Sequence, residues 1–374
     1  MVTRISFKNY KSFKERQEIS LRPITILIGK NSSGKSAVSK LLTLIEGSLS
    51  GDYEQPIRWE NKGVKLGSSN SDLVYNRNVT TSILDFELSS KKEKLAVTVA
   101  VDRKDRASLL AWAYNNKSYE CADIKFKGFL NDQVHFKDLS LNVDYIGPIR
   151  ELPKPNYTNT FETINTIGIT GSNAYPILIQ DSENSGELIK QVSEWYRMNF
   201  EGWKVEVLPI TAPVPTFQIV LSNKNIIHIN ITNVGQGMNQ ALPLIVRSFM
   251  ADEKDVRIII EEPETHLHPA AHGNLAERFV DSYLNDNKKQ YFIETHSQNF
   301  VLRMRRLVAQ NKLNVNDLAI YYVDFDEEKN ESIINPIKVY PDGNVEWWPD
   351  GIFSEALNET RAIRNAQIQN PIKN

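Results

Sequence analysis

Ile24-Thr25-Ile26-Leu27-Ile28-Gly29-Lys30-Asn31-Ser32-Ser33-Gly34-Lys35-Ser36 is the stretch that decides the fold. Its first five residues read as a buried strand that runs into a glycine, and the eight from Gly29 match G-x-x-x-x-G-K-[ST]. Behind them Val38, Leu41, Leu42, Ile45 and Leu49 recur at helical spacing, which predicts a helix with one face packed inward. Strand, glycine loop and helix N-terminus in that order make a phosphate-binding loop. The glycines let the backbone curl so that successive N–H groups point at phosphate oxygens, and the helix N-terminus adds partial positive charge. Lys35 is suited to neutralise the β- and γ-phosphates of ATP, and Ser36 to ligate Mg²⁺. Gly29, Lys30, Asn31, Ser32, Ser33, Gly34, Lys35, Ser36 and Ala37 are therefore the candidate nucleotide-binding residues. A chance match in a glycine- and serine-rich loop is the competing reading, and the strand before and helix after argue against it.

A second stretch complements the first. Ile258-Ile259-Ile260-Glu261-Glu262-Pro263-Glu264 is a buried-strand pattern ending in paired carboxylates. Beside a phosphate loop, the first acid of such a strand holds the Mg²⁺ shell and the second polarises the attacking water as general base. Glu261 is thus the candidate metal residue with Ser36, and Glu262 the candidate base; Glu264 reads as a cap of the following turn. The plainer alternative, a solvated acidic turn after a core strand, loses weight because the phosphate loop is present.

The chain has 374 residues, 41% hydrophobic and 24% charged, enough apolar material for a sizeable core. A formal net charge of −2 provides no overall positive field to draw it to nucleic acid. The single cysteine, Cys121, cannot form an internal disulfide, which fits a reducing cytoplasm. The first residues, Met1-Val2-Thr3-Arg4-Ile5, lack the apolar segment of a secretory signal, and the longest apolar runs are too short to span a bilayer. No membrane partner is expected.

Along the chain, residues 1–28 read as strand, turn, strand, and Gly47 to Ser71 as a long connection. Short runs punctuated by turns from Thr80 to Tyr145 predict a mostly antiparallel sheet. A helix is predicted over Gly186–Phe200 and strands around Lys204–Leu208, Phe217–Leu221 and Ile226–Ile231. Gly235–Met250 reads as a loop feeding a buried helix with Pro243 in its first turn. Strand Val256–Ile260, a helix near Ala271–Leu284, strand Gln290–Ile293 and a helix near Gln298–Gln310 then alternate, which predicts a parallel sheet with crossover helices. Strands and a short closing helix after Gly351 follow from Leu318.

Three further segments carry a family pattern: Asn233-Val234-Gly235-Gln236-Gly237-Met238-Asn239-Gln240-Ala241-Leu242-Pro243, Glu261-Glu262-Pro263-Glu264-Thr265-His266-Leu267-His268-Pro269, and Glu294-Thr295-His296-Ser297. In this order behind the phosphate loop, they resemble ABC-type ATPases of the SMC/RecF/OLD group. Within that group the chain is most similar to the small AAA-type ATPases of bacterial antiphage systems such as Septu and retrons. The opening Ile5–Phe13 and the ending Trp348–Phe353 are similar to that group as well.

The resemblance implies an α/β fold of the ABC/SMC-head P-loop type, with a mixed β-sheet core, an antiparallel β lobe and a short helical insertion. Residues 1–50 and 235–317 would form the nucleotide-binding core, 51–150 the β-rich lobe, 151–234 an insertion in place of a coiled coil, and 318–374 closing strands and helix, all within one composite domain. It also implies a homodimer with ATP between two copies. Gly235, Gln236, Gly237, Asn239 and Gln240 would be the signature loop that reaches ATP held by the other subunit, with Asn239 where the family usually has serine. His296 would be the switch histidine near the γ-phosphate and, with Glu262, a catalytic residue. Gly147-Pro148-Ile149-Arg150 takes the place of the Q-loop without its glutamine, and Arg150 is the candidate phosphate or interface contact there. His266 and His268 would lie in a subunit-facing loop; no cysteine or carboxylate cluster completes a zinc site around them.

Residues 151–234 are too few for a coiled coil, and the tail from Leu318 is too short for the TOPRIM nuclease domain of OLD enzymes. Asp324, Asp326, Glu327 and Glu328 in that tail read as a solvated turn. The leading expectation is a Mg²⁺-dependent ATPase that controls a separate effector, such as a nuclease or toxin, in antiphage defence. A RecF-like DNA-binding repair ATPase is the alternative, because Lys288, Lys289, Arg303, Arg305 and Arg306 form a basic cluster. A transporter nucleotide-binding subunit is disfavoured by the missing glutamine and the divergent signature.

Overall fold

The computed structural model describes residues 1–77, 82–121, 125–158, 163–210, 215–353 and 355–369. The N-terminal half comprises strands β1 (Arg4–Lys8), β2 (Gln17–Ser20) and β3 (Ile24–Gly29), helix α1 (Lys35–Leu49), and strands β4 (Ile83–Ser89), β5 (Lys94–Val101), β6 (Ala107–Tyr114), β7 (Lys117–Tyr119) and β8 (Val143–Ile146). Helices α2 (Ala174–Glu183) and α3 (Glu187–Asn199), strands β9 (Lys204–Ile210) and β10 (Thr216–Ser222) and helix α4 (Gln236–Phe249) follow. Strand β11 (Val256–Glu261), helix α5 (Pro269–Asn285), strand β12 (Lys289–Glu294) and helix α6 (Gln298–Ala309) then alternate. Strands β13 (Leu318–Asp326) and β14 (Glu331–Ile337) and helix α7 (Glu355–Gln369) close the chain.

The central sheet has the order β8-β11-β12-β3-β13-β14. Its first five strands are parallel, and β14 returns antiparallel from β13. Because side chains alternate across a strand, each central strand feeds two cores. Ile24, Ile26 and Ile28 of β3, Ile258 and Ile260 of β11, and Tyr291 and Ile293 of β12 face the core shared with α4, α5 and α6. Leu27, Ile259 and Phe292 point the other way, into the core of α1 and the antiparallel lobe. Full burial of each such aliphatic side chain stabilises the fold by about 1.5–3 kcal/mol. A one-residue slip would exchange the two faces, so this pattern fixes the register on which the site depends.

The second sheet, β2-β1-β4-β5-β6-β7, is antiparallel throughout. Thr80, where the sequence reading starts this lobe, lies outside the described residues. Two placements differ from that reading. Strands β1 and β2, assigned with the nucleotide-binding core, hydrogen-bond into the lobe, whereas β8 leaves it and pairs in parallel with β11. Helix α2 has no counterpart in the sequence reading, and the strand expected over Ile226–Ile231 reduces to Ile229–Asn230 and a short 3₁₀ turn.

Pro243 is a further correction. Helix α4 begins at Gln236, directly after Gly235, so Pro243 is an interior residue rather than part of the first turn. A proline there cannot donate to the carbonyl one turn back. It is buried instead against Gly171, where an added Cβ would stand 2.5 Å from the Pro243 ring. The terminal helix also differs from a closing element: residues 358–369 are exposed along its length.

Arg247 anchors α4 to the edge of the sheet. Its Nε donates to Asp144 of β8, and its two terminal nitrogens donate to both oxygens of Asp252 at 2.9 Å. All three side chains are largely buried. Removing one partner of such a group strands the remaining charges in the interior. Arg247→Ala should therefore lower unfolding stability by about 3–5 kcal/mol, read as a reduced urea midpoint with an unchanged slope.

Candidate functional site

Strand β3 delivers the glycine loop to the carboxyl end of the central sheet, and α1 starts at Lys35 with Gly34 as its N-cap. An added Cβ on Gly29 would lie 2.2 Å from the carbonyl oxygen of Val323 on β13, so only glycine lets the loop leave the sheet there. Lys30, Asn31 and Ser32 are exposed, Ser33 is buried, and Ala37 lies in the first turn of the helix. Lys35 is 3% exposed, and its Nζ donates to the carbonyls of Gly29 at 3.0 Å and Lys30 at 2.7 Å. Burial lowers its pKa, opposed by the carboxylates of Glu294, Glu262, Glu261 and Glu264.

Those carboxylates come from two adjacent strand ends. In-register pairing of β11 with β12 sets Glu261 beside Glu294. Burial, then the charge of Glu294, pushes the Glu261 carboxyl up to about 7. Its Oε1 has no hydrogen-bond partner among the described residues, and Tyr145 of β8 stands next to it. Glu294 receives two hydroxyls from α1, Ser36 Oγ at 2.9 Å and Ser39 Oγ at 3.1 Å. The sequence reading did not single out Glu294; the available signal was an acid ending the apolar run Tyr291–Ile293 two residues before His296.

Glu262 leaves the strand in a left-handed conformation, φ 47°, which a residue with a Cβ adopts at a cost of about 1–3 kcal/mol. Its N–H donates to the Glu294 carbonyl at 2.8 Å and its carboxylate accepts from Thr265 Oγ1 at 3.2 Å. The kink turns its side chain out of the sheet at the point where the strand ends.

Two cross-links tie this turn to the segment that carries His296. The Glu264 carboxylate, read from the sequence as a turn cap, accepts the backbone N–H of His296 at 2.6 Å. His272, also missed, lies 3.1 Å from the Leu267 carbonyl through Nε2 and 2.7 Å from Ser297 Oγ through Nδ1. The carbonyl can only accept, so Nε2 carries the proton and the Ser297 hydroxyl donates to Nδ1. Desolvation, then the charge of Lys35, lowers the pKa of His296. His268 caps α5, its Nδ1 accepting the Ala270 N–H at 3.3 Å, and His266 is exposed.

A second cluster lies on the other side of Glu262. Arg150 is buried, and its Nη2 donates to the carbonyls of Glu261 at 3.1 Å and Glu262 at 2.8 Å. Burial lowers its pKa to about 10. Gln240 donates to the Arg150 carbonyl at 3.3 Å, and Asn239 is largely buried with its Oδ1 unpartnered among the described residues. Gly235 and Gln236 are exposed at the start of α4. Gly237 passes so near the His266 loop that a Cβ would stand 2.7 Å from the His266 carbonyl. A groove of about 410 Å³ is lined by Arg150, Gln236, Gln240, Glu262 and His266, but by none of Gly29–Ser36. A larger cavity of about 1040 Å³ adjoins the far end of α1, around Tyr53, Lys62 and Phe136, away from these residues.

The residues of the basic cluster differ in burial and partners. Lys289 is buried, its Nζ on the Ser248 carbonyl, and Lys288 Nζ donates to the Asp252 carbonyl. Arg303 pairs with Glu277, and Arg305 donates to the Gly343 carbonyl. Arg306 is exposed. Arg303 and Arg306 line one small groove with Asn299 and Leu302.

A family model described as AAA ATPase domain matches residues 1–185 and 179–301. The chain belongs to that family. A second model, a protein of unknown function (DUF3696), matches residues 313–363 of this AAA ATPase. The Old nuclease of Escherichia phage P2 is 22% identical over 339 residues, covering 78% of this chain and 56% of the relative; the chain thus spans little more than half of that relative's length. Among solved structures, an Smc head bound to the C-terminal winged-helix domain of ScpA matches at 12% identity and TM-score 0.51, covering 90% of this chain and 97% of that one. The Smc head domain with an extended coiled coil from Pyrococcus furiosus, bound to the C-terminal domain of ScpA, matches at 12% identity and TM-score 0.50, covering 97% and 99%. The AAA ATPase domain therefore has the ABC/SMC-head fold, and the protein is a P-loop ATPase. No helix among the described residues is long and apolar enough to cross a membrane.

The cross-link from Glu264 to the His296 backbone has a measurable consequence. Glu264→Ala should release the segment carrying His296 and reduce the ATP turnover rate by up to about 10²-fold. Affinity for a fluorescent ATP analogue should stay near wild type, since Glu264 touches none of Gly29–Ser36.

Proposed function

We propose that the chain is a Mg²⁺-dependent ATPase that works as a homodimer closed on ATP, and that closure governs a separate effector protein such as a nuclease. The observation that carries the reading is the division of the site. Lys35, Ser36, Glu261, Glu262, Glu294 and His296 gather at one end of the sheet, whereas the exposed Gln236 borders a groove that reaches Glu262 but contains none of Gly29–Ser36, and the exposed Gly235 directly precedes it. A second copy that lays its Gly235–Gln240 segment over the first copy's loop would complete the pocket. Within that segment Gly235 and Gln236 are the most exposed residues, and Gln240 lines the groove beside Gln236.

The residues suit Mg²⁺ and ATP. Glu261 Oε1 is a buried carboxylate oxygen without a partner among the described residues, and a hydroxyl with carboxylates is the oxygen donor set a hard cation takes. Ser36 and Glu261 would hold the ion, which when bound would supply positive charge to the phosphate oxygens. Lys35 would turn its ammonium from the loop carbonyls to the β- and γ-phosphates, and Glu262 would accept the proton of the attacking water. His296, neutral near pH 7 because its pKa is depressed, would offer an N–H to the γ-phosphate. Arg150 would act on this site through the strand end it braces.

The effector is assigned to a separate protein. Asp324 and Asp326, at the end of β13, are engaged with the Tyr322 hydroxyl and Lys329, and Glu327 and Glu328 follow as exposed residues of the hairpin turn. The antiphage setting rests on the resemblance of Glu261–Pro269 and Glu294–Ser297 to ATPases of such systems.

Two variants test the reading. Lys35→Ala should lose ATP binding by a factor of about 10² or more, judged from the several kcal/mol that a buried charge on phosphate contributes; retained affinity would reject the phosphate-loop assignment. Glu262→Gln should bind ATP with Mg²⁺ yet hydrolyse it slowly, and light scattering should show a dimer that persists until nucleotide is removed. A monomer under those conditions would rule out closure on ATP.

A further inference from the structure

A serine that ligates a metal gives the ion an oxygen lone pair and keeps its proton, which then needs an acceptor on the other side. For Ser36 that acceptor is Glu294, not Glu261. Ser36 Oγ donates to Glu294 Oε1 at 2.9 Å, and Ser39 Oγ donates to Glu294 Oε2 at 3.1 Å. Ser36 and Ser39 are one turn apart on α1, so both oxygens of a single carboxylate, 3% exposed, are held against one face of that helix. Strand pairing places Glu261 directly alongside, with its Oε1 unpartnered among the described residues.

The two acids thus have different tasks. We infer that Glu294 is a positioning residue of the metal site: it accepts the hydrogen bond of the Ser36 hydroxyl, turns the Ser36 lone pair toward the ion, and leaves Glu261 free to face the ion itself. Ser39 holds Glu294 in the rotamer that does this. The inference deepens the Mg²⁺-dependent reading above and rests on it. It also explains why a carboxylate ends β12 at a position the phosphate-loop and acidic-strand motifs do not specify.

The test is the affinity of a non-hydrolysable ATP analogue measured as a function of Mg²⁺, with a parallel measurement in EDTA. Glu294→Gln keeps the shape but can turn a donor toward Ser36. Its half-saturating Mg²⁺ should rise on the order of tenfold or more, the usual effect of losing the partner of a metal ligand, while affinity in EDTA does not fall, because a negative charge near the phosphates is removed. Ser39→Ala should shift the Mg²⁺ dependence in the same direction by less, and it supplies the answer if Glu294→Gln does not fold. Glu294→Asp, which keeps the charge, should recover part of the loss. Unchanged Mg²⁺ dependence in folded Glu294→Gln, or in Ser39→Ala where the first does not fold, would overturn the inference and leave the Mg²⁺ reading intact. A wild-type protein whose analogue affinity ignores Mg²⁺ would overturn both.

Discussion

The site depends on one electrostatic arrangement: the buried ammonium of Lys35 set among Glu261, Glu262, Glu264 and Glu294. Two carboxylates side by side at the end of a dry sheet repel each other and lose hydration, and both Glu261 and Glu294 respond with raised pKa values. Lys35 offsets part of that cost from the loop, and Ser36 and Ser39 offset more with hydroxyl hydrogen bonds. The same excess of negative charge that is costly to bury suits the place to a cation, whose binding would relieve the imbalance. Parallel pairing of β11, β12 and β3 enforces the arrangement by bringing three strand ends to one level.

Around that centre, the connecting turns are linked by hydrogen bonds rather than by apolar packing alone. Arg150 holds the carbonyls of Glu261 and Glu262, Glu264 holds the N–H of His296, and His272 bridges the Leu267 carbonyl to Ser297. Each contact joins segments far apart in sequence, so displacement of one strand-end turn is transmitted to its neighbour. Gly237 passes close over the His266 carbonyl and couples the start of α4 to the same turn.

The alternation from Val256 to Gln310 was readable because each element there is long and its apolar period is local. The same holds for the Gly29–Ser36 loop, the acids Glu261 and Glu262, and the antiparallel character of the lobe. Strand β8 was misplaced because four residues carry too little pattern to distinguish a lobe strand from a sheet edge. Strands β1 and β2 look like any strand, and only pairing with β4 assigns them to the lobe. Helix α2 went unread because Tyr175-Pro176-Ile177-Leu178-Ile179 carries an apolar run without helical spacing.

By itself, then, the sequence determined the glycine loop between β3 and α1, since the glycines, Lys35 and Ser36 lie in one continuous stretch whose geometry follows from local backbone constraints. It likewise determined the parallel core, through periodicities that each strand and helix carries alone. Only the tertiary structure decided that Glu294 rather than Glu261 receives Ser36, that Glu264 and His272 secure the segment of His296, and that Lys289 of the basic cluster is buried. Those are contacts between side chains on different elements. Their distances depend on strand register and helix placement, which the cooperative packing of two cores fixes and no local stretch encodes.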